Sequence, residues 1–374
     1  DTLRSIADMS FGLEEIWGIE KSDLEQLKNF VASHGTPQNY SKVASMKANS
    51  YLSDELQLVA DTFRRFGREH IEHLAEKVHR EDLDVPESVI EGLADLGCFG
   101  LSIPQKYGGT AIGSALDNYG MVIATEELSR ASLSIGGSLI TRPEILARAI
   151  ENGGTEKQKK ELLPKIASGN YMSAVAVTEP DHGSDVASIT TSARQKASGA
   201  WELNGVKTWC TFAGRADLLM VLARTNPDSA ASHRGLSVFV VQKERVKGHH
   251  FDLRQETGGR MQGRAIPTIG YRGMHSFEIS FQNWEVPNEA LIGGAEGVGR
   301  GFYLQMAGFE NGRLQTAARA VGVMQRAYEE ATQYSDERVV FGQSLSQYQL
   351  TQTKLGRMAA LIQACRQYTY KVGE

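Results

Sequence analysis

The chain has 374 residues, 41% of them hydrophobic, and 40 Lys and Arg stand against 45 Asp and Glu for a formal net charge of −5. That length allows two or three domains with their own cores, and the absence of a basic excess argues against a nucleic-acid partner. No apolar run is long enough to span a bilayer, and the scattered Cys98, Cys210 and Cys365 support neither a disulfide framework nor a zinc site, so a reduced, cytoplasmic setting is expected.

In chain order, residues 1–50 show helical spacing at Leu24, Leu27 and Phe30-Val31 and read as a helical N-terminal extension. From Leu52 an apolar stripe runs through Leu56, Val59, Phe63, Phe66, Ile71, Leu74 and Val78, which predicts a long amphipathic helix. Further helices are predicted over 86–97, 115–131, 136–152 and 155–167, so residues 51–168 form a helical domain. The character changes at Tyr171. "WELNGVKTWC" carries an Asn204-Gly205 pair between alternating residues, the signature of a hairpin turn, and "LLMVLART", "LSVFVVQ" and "SFEISFQNWEV" read as strands. Residues 169–290 are therefore an antiparallel β domain. Helix returns after Val298, with another predicted over 346–370, and residues 291–374 read as a C-terminal helical bundle. The fold class is α+β and multidomain. The order of helices, strands and helices disfavours a doubly wound dinucleotide fold.

Several stretches are candidates for chemistry. "AVAVTEPDHGSD" ends an apolar strand in polar and turn-forming residues, where Thr178, Ser184 and the main chain around Gly183 can bond a polar ring or a phosphate. Trp209 and Thr211 are two apart on a strand, an indole and a hydroxyl suited to a flat, hydrogen-bonding ligand. Arg338, Phe341 and Gln349 offer paired donors and a stacking ring, or simply a helix end. "GGAEGVGRGF" lacks the ending of a phosphate loop and reads as a flexible joint. His249-His250 has no partner at metal spacing and reads as solvated surface.

Together "LADLGCFGLSIPQKYGGT", "GTEKQKKELLPKIASGNYMSAVAVTEPDHGSD", "LNGVKTWCTFAGRADLLMVLART" and "ERVVFGQSLSQYQLTQTKLGRMA" resemble, in order, the acyl-CoA dehydrogenase family from about residue 52 to the end. The resemblance implies a flavoprotein holding FAD between the β domain and the C-terminal helices. Val175, Ala176, Val177, Thr178, Gly183 and Ser184 would border the flavin, Trp209 and Cys210 would lie along its ring, and Thr211 would bond near N5. Ser184 would also approach the CoA part of the substrate. Arg338, Val340, Phe341, Tyr348 and Gln349 would reach the FAD of a neighbouring subunit, which implies a dimer or tetramer. The sequence departs from the family's usual Gly-Ala-Gly-Ser-Asp at Asp181 and His182.

The implied reaction is α,β-dehydrogenation of an acyl-CoA thioester: a carboxylate takes the α-proton, hydride leaves from the β-carbon to flavin N5, and an electron-transferring flavoprotein accepts the electrons. The family's usual base, a Glu in a late segment, is expected beyond Glu374, which would leave the helical bundle incomplete here. Other members carry it where this chain has Gly312. Glu310, three residues before Arg313, is the in-chain alternative, as a base or as a partner of Arg313 or CoA. Arg254, Arg260, Arg264 and Arg272 offer to meet a second carboxylate on the acyl chain, so the pattern resembles the branch that acts on (2S)-methylsuccinyl-CoA. Alternatives on the same scaffold are an acyl-CoA oxidase, a flavin monooxygenase, or a non-catalytic flavin- or DNA-binding member.

Overall fold

The stripe beginning at Leu52 spaces its apolar residues three or four apart as far as Phe66, then skips five to Ile71. The computed structural model, which describes residues 52–373, shows how the skip is absorbed. Helix α1 (Asp54–Phe66) passes into a π-turn, Gly67–Ile71, and then into helix α2 (Glu72–Glu81). A π-turn holds an extra residue per turn, so Phe63, Phe66, Ile71 and Val78 are all buried. The expected extension over residues 1–50 lies outside the described residues.

Helices α3 (Glu87–Asp95), α4 (Ala115–Ala131), α5 (Thr141–Gly153) and α6 (Glu156–Ala167) follow. Capping boxes open two of them, Ser114 with Asp117 at α4 and Thr155 with Gln158 at α6. The helix predicted over 136–152 begins later, at Thr141, because a second π-turn, Leu133–Gly137, precedes it.

The middle of the chain forms one eight-stranded sheet: β1 (Ser173–Ala176), β2 (Ser192–Gln195), β3 (Trp201–Thr211), β4 (Leu218–Arg224), β5 (Leu236–Gln242), β6 (His250–Arg254), β7 (Arg260–Ala265) and β8 (Ser276–Val286). It is mostly antiparallel, but β1 and β2 each pair parallel with β4. Strand β4 is apolar from Leu218 to Ala223 because both of its faces are buried there. Leu219, Val221 and Ala223 join Leu203, Phe239, Phe277 and Phe281 on one face. Leu218, Met220 and Leu222 meet Ile145, Leu146, Leu163 and Ile166 of α5 and α6 on the other.

The Asn204-Gly205 pair is not a hairpin turn. It lies inside β3, which pairs with β2 on one side and β8 on the other, and the register against β8 shifts between Leu203 and Gly205. Gly205 sits at φ +144, where a Cβ would come within 2.6 Å of Thr191 Oγ1. The Asn204 side chain accepts the Asn283 N–H at 2.8 Å, replacing a bond the ladder loses. The dipeptide makes a bulge, not a reversal.

Helix α7 (Gly301–Glu337), a short hairpin of β9 (Val339–Val340) and β10 (Gln343–Ser344), and helix α8 (Gln349–Gly373) follow the sheet among the described residues. Residues 293–302 form a packed turn, not a loose joint: a 3-10 turn spans Gly294–Gly297, and Gly301 lies so close to Ser237 that a Cβ would come within 2.5 Å of its carbonyl carbon. The described residues divide into two compact units, 52–323 with 367–373, and 324–366. In the first, Leu314 and Ala318 of α7 pack with Met121, Val122, Ile123 and Tyr370. No described helix is long and apolar enough to cross a membrane.

Candidate functional site

The polar loop after β1 is organised around its second residue, Glu179. Its buried carboxylate accepts from the Thr190 N–H (2.7 Å), the Thr190 hydroxyl (2.8 Å) and the Thr191 N–H (2.8 Å), and pairs with Lys207 Nζ at 2.9 Å. Burial alone would raise the Glu179 pKa. The Lys207 charge and the threonine bonds outweigh it and hold the group at about 2. Lys207, on β3, is 0% exposed and also donates to the Val177 carbonyl at 2.8 Å. One residue on, the Thr208 N–H donates to the Thr178 carbonyl at 2.8 Å. The loop is thereby fastened to β3, and Thr178 is fixed beside Thr208.

Strand β3 then breaks its pattern a second time. Its register against β8 shifts between Lys207 and Cys210, and Trp209 adopts φ +57. A bulky residue in the left-handed region is a marked backbone outlier. The indole is 56% exposed, although Thr208 and Cys210 on either side are buried. Thr211 is buried, its hydroxyl 2.9 Å from that of Ser276 on β8.

These residues form one wall of a cavity of about 290 Å³. Val175, Val177, Thr178, Thr208, Trp209 and Thr211 come from the sheet and its loop. Thr141, Arg142 and Ile145 come from α5, and Phe309, Gly312, Arg313, Thr316 and Arg319 from α7. The helical wall therefore brings three arginines, and among the described residues no carboxylate lines the cavity. Arg142 Nη1 and Arg319 Nη1 each donate to the hydroxyl of the half-buried Tyr271 at 3.0 Å. Burial would raise the Tyr271 pKa, but the two guanidiniums reverse it and the net shift is downward.

The sequence-predicted residues divide accordingly. Val175, Val177, Thr178, Trp209, Thr211 and Arg313 are brought together. Ala176 and Cys210 belong to the β-sheet core, where burial pushes the Cys210 thiol to about 12, so their side chains do not face the cavity. Gly183 and Ser184 are exposed in the loop and do not line it either. Glu310 is exposed and off the wall. Gly312 lines the cavity where a Cβ would already stand 3.2 Å from Ile145 Cδ1, so a larger side chain would press on Ile145. Arg338, Val340, Phe341, Tyr348 and Gln349 belong to the hairpin region of the other compact unit.

Three of the four loop arginines are committed elsewhere. Arg254 and Arg260 pair with Asp252, Arg272 bonds the His79 carbonyl and Asp82, and Arg264 is exposed on β7. His249 is not simply solvated. Its Nε2 lies 3.3 Å from His275 Nε2 and 3.8 Å from Asp82, three ligand-type groups from distant stretches, with Arg272 supplying a cation to the same carboxylate.

Sequence reasoning missed Thr141, Arg142, Tyr271, Thr316 and Arg319. One signal was available: Phe309, Gly312, Arg313, Thr316 and Arg319 recur at helical spacing and so share one face of α7.

With this geometry in place, comparison with known proteins defines the class. Models of the acyl-CoA dehydrogenase N-terminal, middle and C-terminal domains match residues 53–170, 174–284 and 299–374. The chain belongs to the acyl-CoA dehydrogenase family. It is 40% identical to the (2S)-methylsuccinyl-CoA dehydrogenase of Cereibacter sphaeroides over 92% of this chain and 62% of that protein, so it spans less than two thirds of that relative's length. It is 32% identical to the mitochondrial 2-methylacyl-CoA dehydrogenase of Solanum tuberosum, over 88% of this chain and 75% of that one. A glutaryl-coenzyme A dehydrogenase solved as a glutaryl-CoA complex superposes with a TM-score of 0.77 at 30% identity, over 86% of this chain and 76% of the other.

Proposed function

We propose that this protein is an FAD-dependent acyl-CoA dehydrogenase, and that its substrate is (2S)-methylsuccinyl-CoA. One observation carries the reading: an indole turned outward on a left-handed residue, Trp209, beside Thr211 in the cavity wall, whose buried hydroxyl meets that of Ser276. The substrate reading is supported by the relationship to the Cereibacter enzyme and not by the loop arginines, three of which pair elsewhere.

The residues present suit a flavin. Thr178, Thr208 and Thr211 offer hydroxyls on one wall, and Trp209 offers a flat apolar face. When bound, FAD supplies the acceptor for the hydride that leaves the substrate's β-carbon. Trp209 and Thr211 orient it. The Glu179–Lys207 pair acts one step back, fixing the loop that carries Thr178. With three arginines and no carboxylate among the described lining residues, the cavity is tolerant of negative charge, as an enolate-like thioester oxygen requires. The carboxylate that removes the α-proton is not among the described residues lining the cavity. We further propose that Arg338, Val340, Phe341, Tyr348 and Gln349 serve the flavin of a second copy in a homo-oligomer. An electron-transferring flavoprotein accepts the electrons.

The test is an absorbance spectrum of the purified protein, repeated anaerobically after adding methylsuccinyl-CoA and a panel of monocarboxylic acyl-CoA thioesters. A flavin spectrum bleached fastest by methylsuccinyl-CoA is expected. A protein that binds no FAD, or whose bound FAD no thioester reduces, overturns the reading. Rapid reoxidation by oxygen would favour an oxidase on the same scaffold.

A further inference from the structure

Three stretches that lie far apart in the chain meet where helix α2 ends. Asp82 caps that helix in the left-handed region, at φ +54. His249 stands just before β6, and His275 just before β8. The two imidazoles lie Nε2 to Nε2 at 3.3 Å, and Asp82 Oδ2 is 3.8 Å from His249 Nε2. One ligand-type atom from each of the three lies within 4.8 Å of the other two. A fourth group joins them: Asp84 Oδ1 is 3.4 Å from His275 Nε2.

These separations are those a metal ion imposes. With zinc–nitrogen and zinc–oxygen bonds of about 2.0–2.1 Å, tetrahedral ligands stand about 3.3–3.4 Å apart. The His249–His275 and His275–Asp84 separations match that edge. Asp82 is 44% exposed, so its carboxylate has room to close the remaining gap. Each carboxylate is also steadied through its other oxygen. Asp84 Oδ2 accepts the Gly248 N–H at 2.8 Å, and Asp82 Oδ1 lies 3.5 Å from Arg272 Nε. Arg272 in turn donates to the His79 carbonyl at 2.8 Å. Outer contacts of this kind orient the ligands of metal sites.

Charge points the same way. With both imidazoles neutral, two carboxylates against the one guanidinium leave these five groups net negative. A proton shared between the imidazoles would serve that pair alone, whereas a divalent cation answers both rings and both carboxylates. Two imidazole nitrogens with carboxylate oxygens suit zinc and its first-row neighbours, while magnesium and calcium take oxygen ligands.

We infer that His249, His275 and Asp82, with Asp84 in the fourth position, bind one divalent transition-metal ion of the zinc type. The ion pins the turn after α2 to the segments leading into β6 and β8, and so fastens the helical domain to the sheet. The same seam carries the bond from the Val85 N–H to the Gly273 carbonyl at 3.1 Å. The role is structural and does not depend on the dehydrogenase reading.

The test takes the full chain, strips it of metal with a chelator, and titrates it with zinc chloride by calorimetry at mildly alkaline pH, where both imidazoles are neutral. One zinc per chain is expected, with a melting temperature that rises as zinc is added, since the ion binds the folded state. His249→Ala removes a half-exposed ligand and should weaken zinc binding about a hundredfold or more. His250→Ala, at the exposed neighbouring histidine, should bind zinc as the wild type does. A wild type that binds no zinc would overturn the inference. So would zinc binding that His249→Ala leaves unchanged, or that both variants weaken equally.

Cobalt reads the geometry without any variant. Tetrahedral cobalt absorbs strongly in the visible and octahedral cobalt weakly, so the difference spectrum of cobalt-loaded against zinc-loaded wild type should show a strong band that added zinc removes. A weak, octahedral-type spectrum would count against the four-ligand site. The band should also be lost in His275→Gln, and its persistence in the folded variant would place the metal elsewhere.

Discussion

Two regions proposed to serve the same flavin are built in opposite ways. At the end of β3, Thr178 and Thr211 are tied down before any ligand arrives, Thr178 through the Thr208 amide and the Glu179–Lys207 pair, Thr211 through Ser276. In the hairpin of β9 and β10, Phe341 projects into solvent at 96% exposure on φ +51, next to Gly342 at φ +82. Successive left-handed residues make the tight two-residue turn that joins short strands. Glycine takes that conformation freely; phenylalanine does so only under strain. The first region is tied down by contacts within the chain, and the second presents an exposed apolar ring. Preformed bonds suit orientation of a ring, whereas an exposed aromatic suits contact with a second molecule.

The sharpest way to break this contrast is to unfasten the first region. Lys207→Met leaves Glu179 buried without its cation, and breaking such a pair costs about 3–5 kcal/mol. Chemical denaturation should show a loss of that order, with weaker FAD retention as Thr178 loses its anchor. Retained stability and full flavin occupancy would mean that the pair fastens nothing.

The same pair sets a pH dependence. A carboxylate depressed in the folded state adds stability that is fully present above its unfolded pKa and is lost as pH falls through the folded one. For Glu179 the window runs from its ordinary 4.5 down to about 2. The denaturation midpoint should fall across that interval in the wild type. Glu179→Gln should be less stable at neutral pH and show a shallower fall.

A smaller effect is expected at Thr211→Val, which removes one hydroxyl and leaves Ser276 without its partner. About 1 kcal/mol of stability should be lost, with slower flavin reduction in a folded protein. Unchanged reduction kinetics would detach Thr211 from the reacting end of the site.

Much of this contrast was legible in the sequence, and the part that was not has a common cause. The order of helices, sheet and helices followed from the switch between helical and alternating apolar spacing, and the π-turn left its own trace in the five-residue skip from Phe66 to Ile71. The Asn204-Gly205 pair misled because the dipeptide reports only that the backbone needs a left-handed or glycine-only conformation, and a bulge needs that as much as a turn does. Trp209 and Thr211 stood out as an indole and a hydroxyl two apart on a strand, and Arg313 emerged through family resemblance. Arg142 and Arg319 reach Tyr271 across separations of 129 and 48 residues, and Glu179 reaches Lys207 across 28. Local spacing carries no information about such pairings. The loop arginines drew attention because they cluster in sequence, yet Asp252 and Asp82 already answer three of them.

The smallest effect on stability is expected at Phe341, and there the contrast is tested most directly. Phe341→Asn removes no buried contact, since the ring is in solvent, and asparagine tolerates the left-handed region better than phenylalanine does. The variant should be as stable as wild type within about 0.5 kcal/mol, the usual range for surface substitutions, or slightly more stable. The hairpin should persist, because Tyr348 Oη still donates to the Val340 carbonyl at 2.6 Å and the Leu345 N–H to the Arg338 carbonyl at 2.9 Å. If the ring serves a second copy's flavin, the same substitution should lower FAD retention and shift the oligomer toward smaller species in sedimentation. Loss of flavin without loss of stability would separate the two regions cleanly. Normal flavin content and an unchanged oligomer would instead leave the strained Phe341 without that role and place all of the flavin's recognition on the fastened corner of β3.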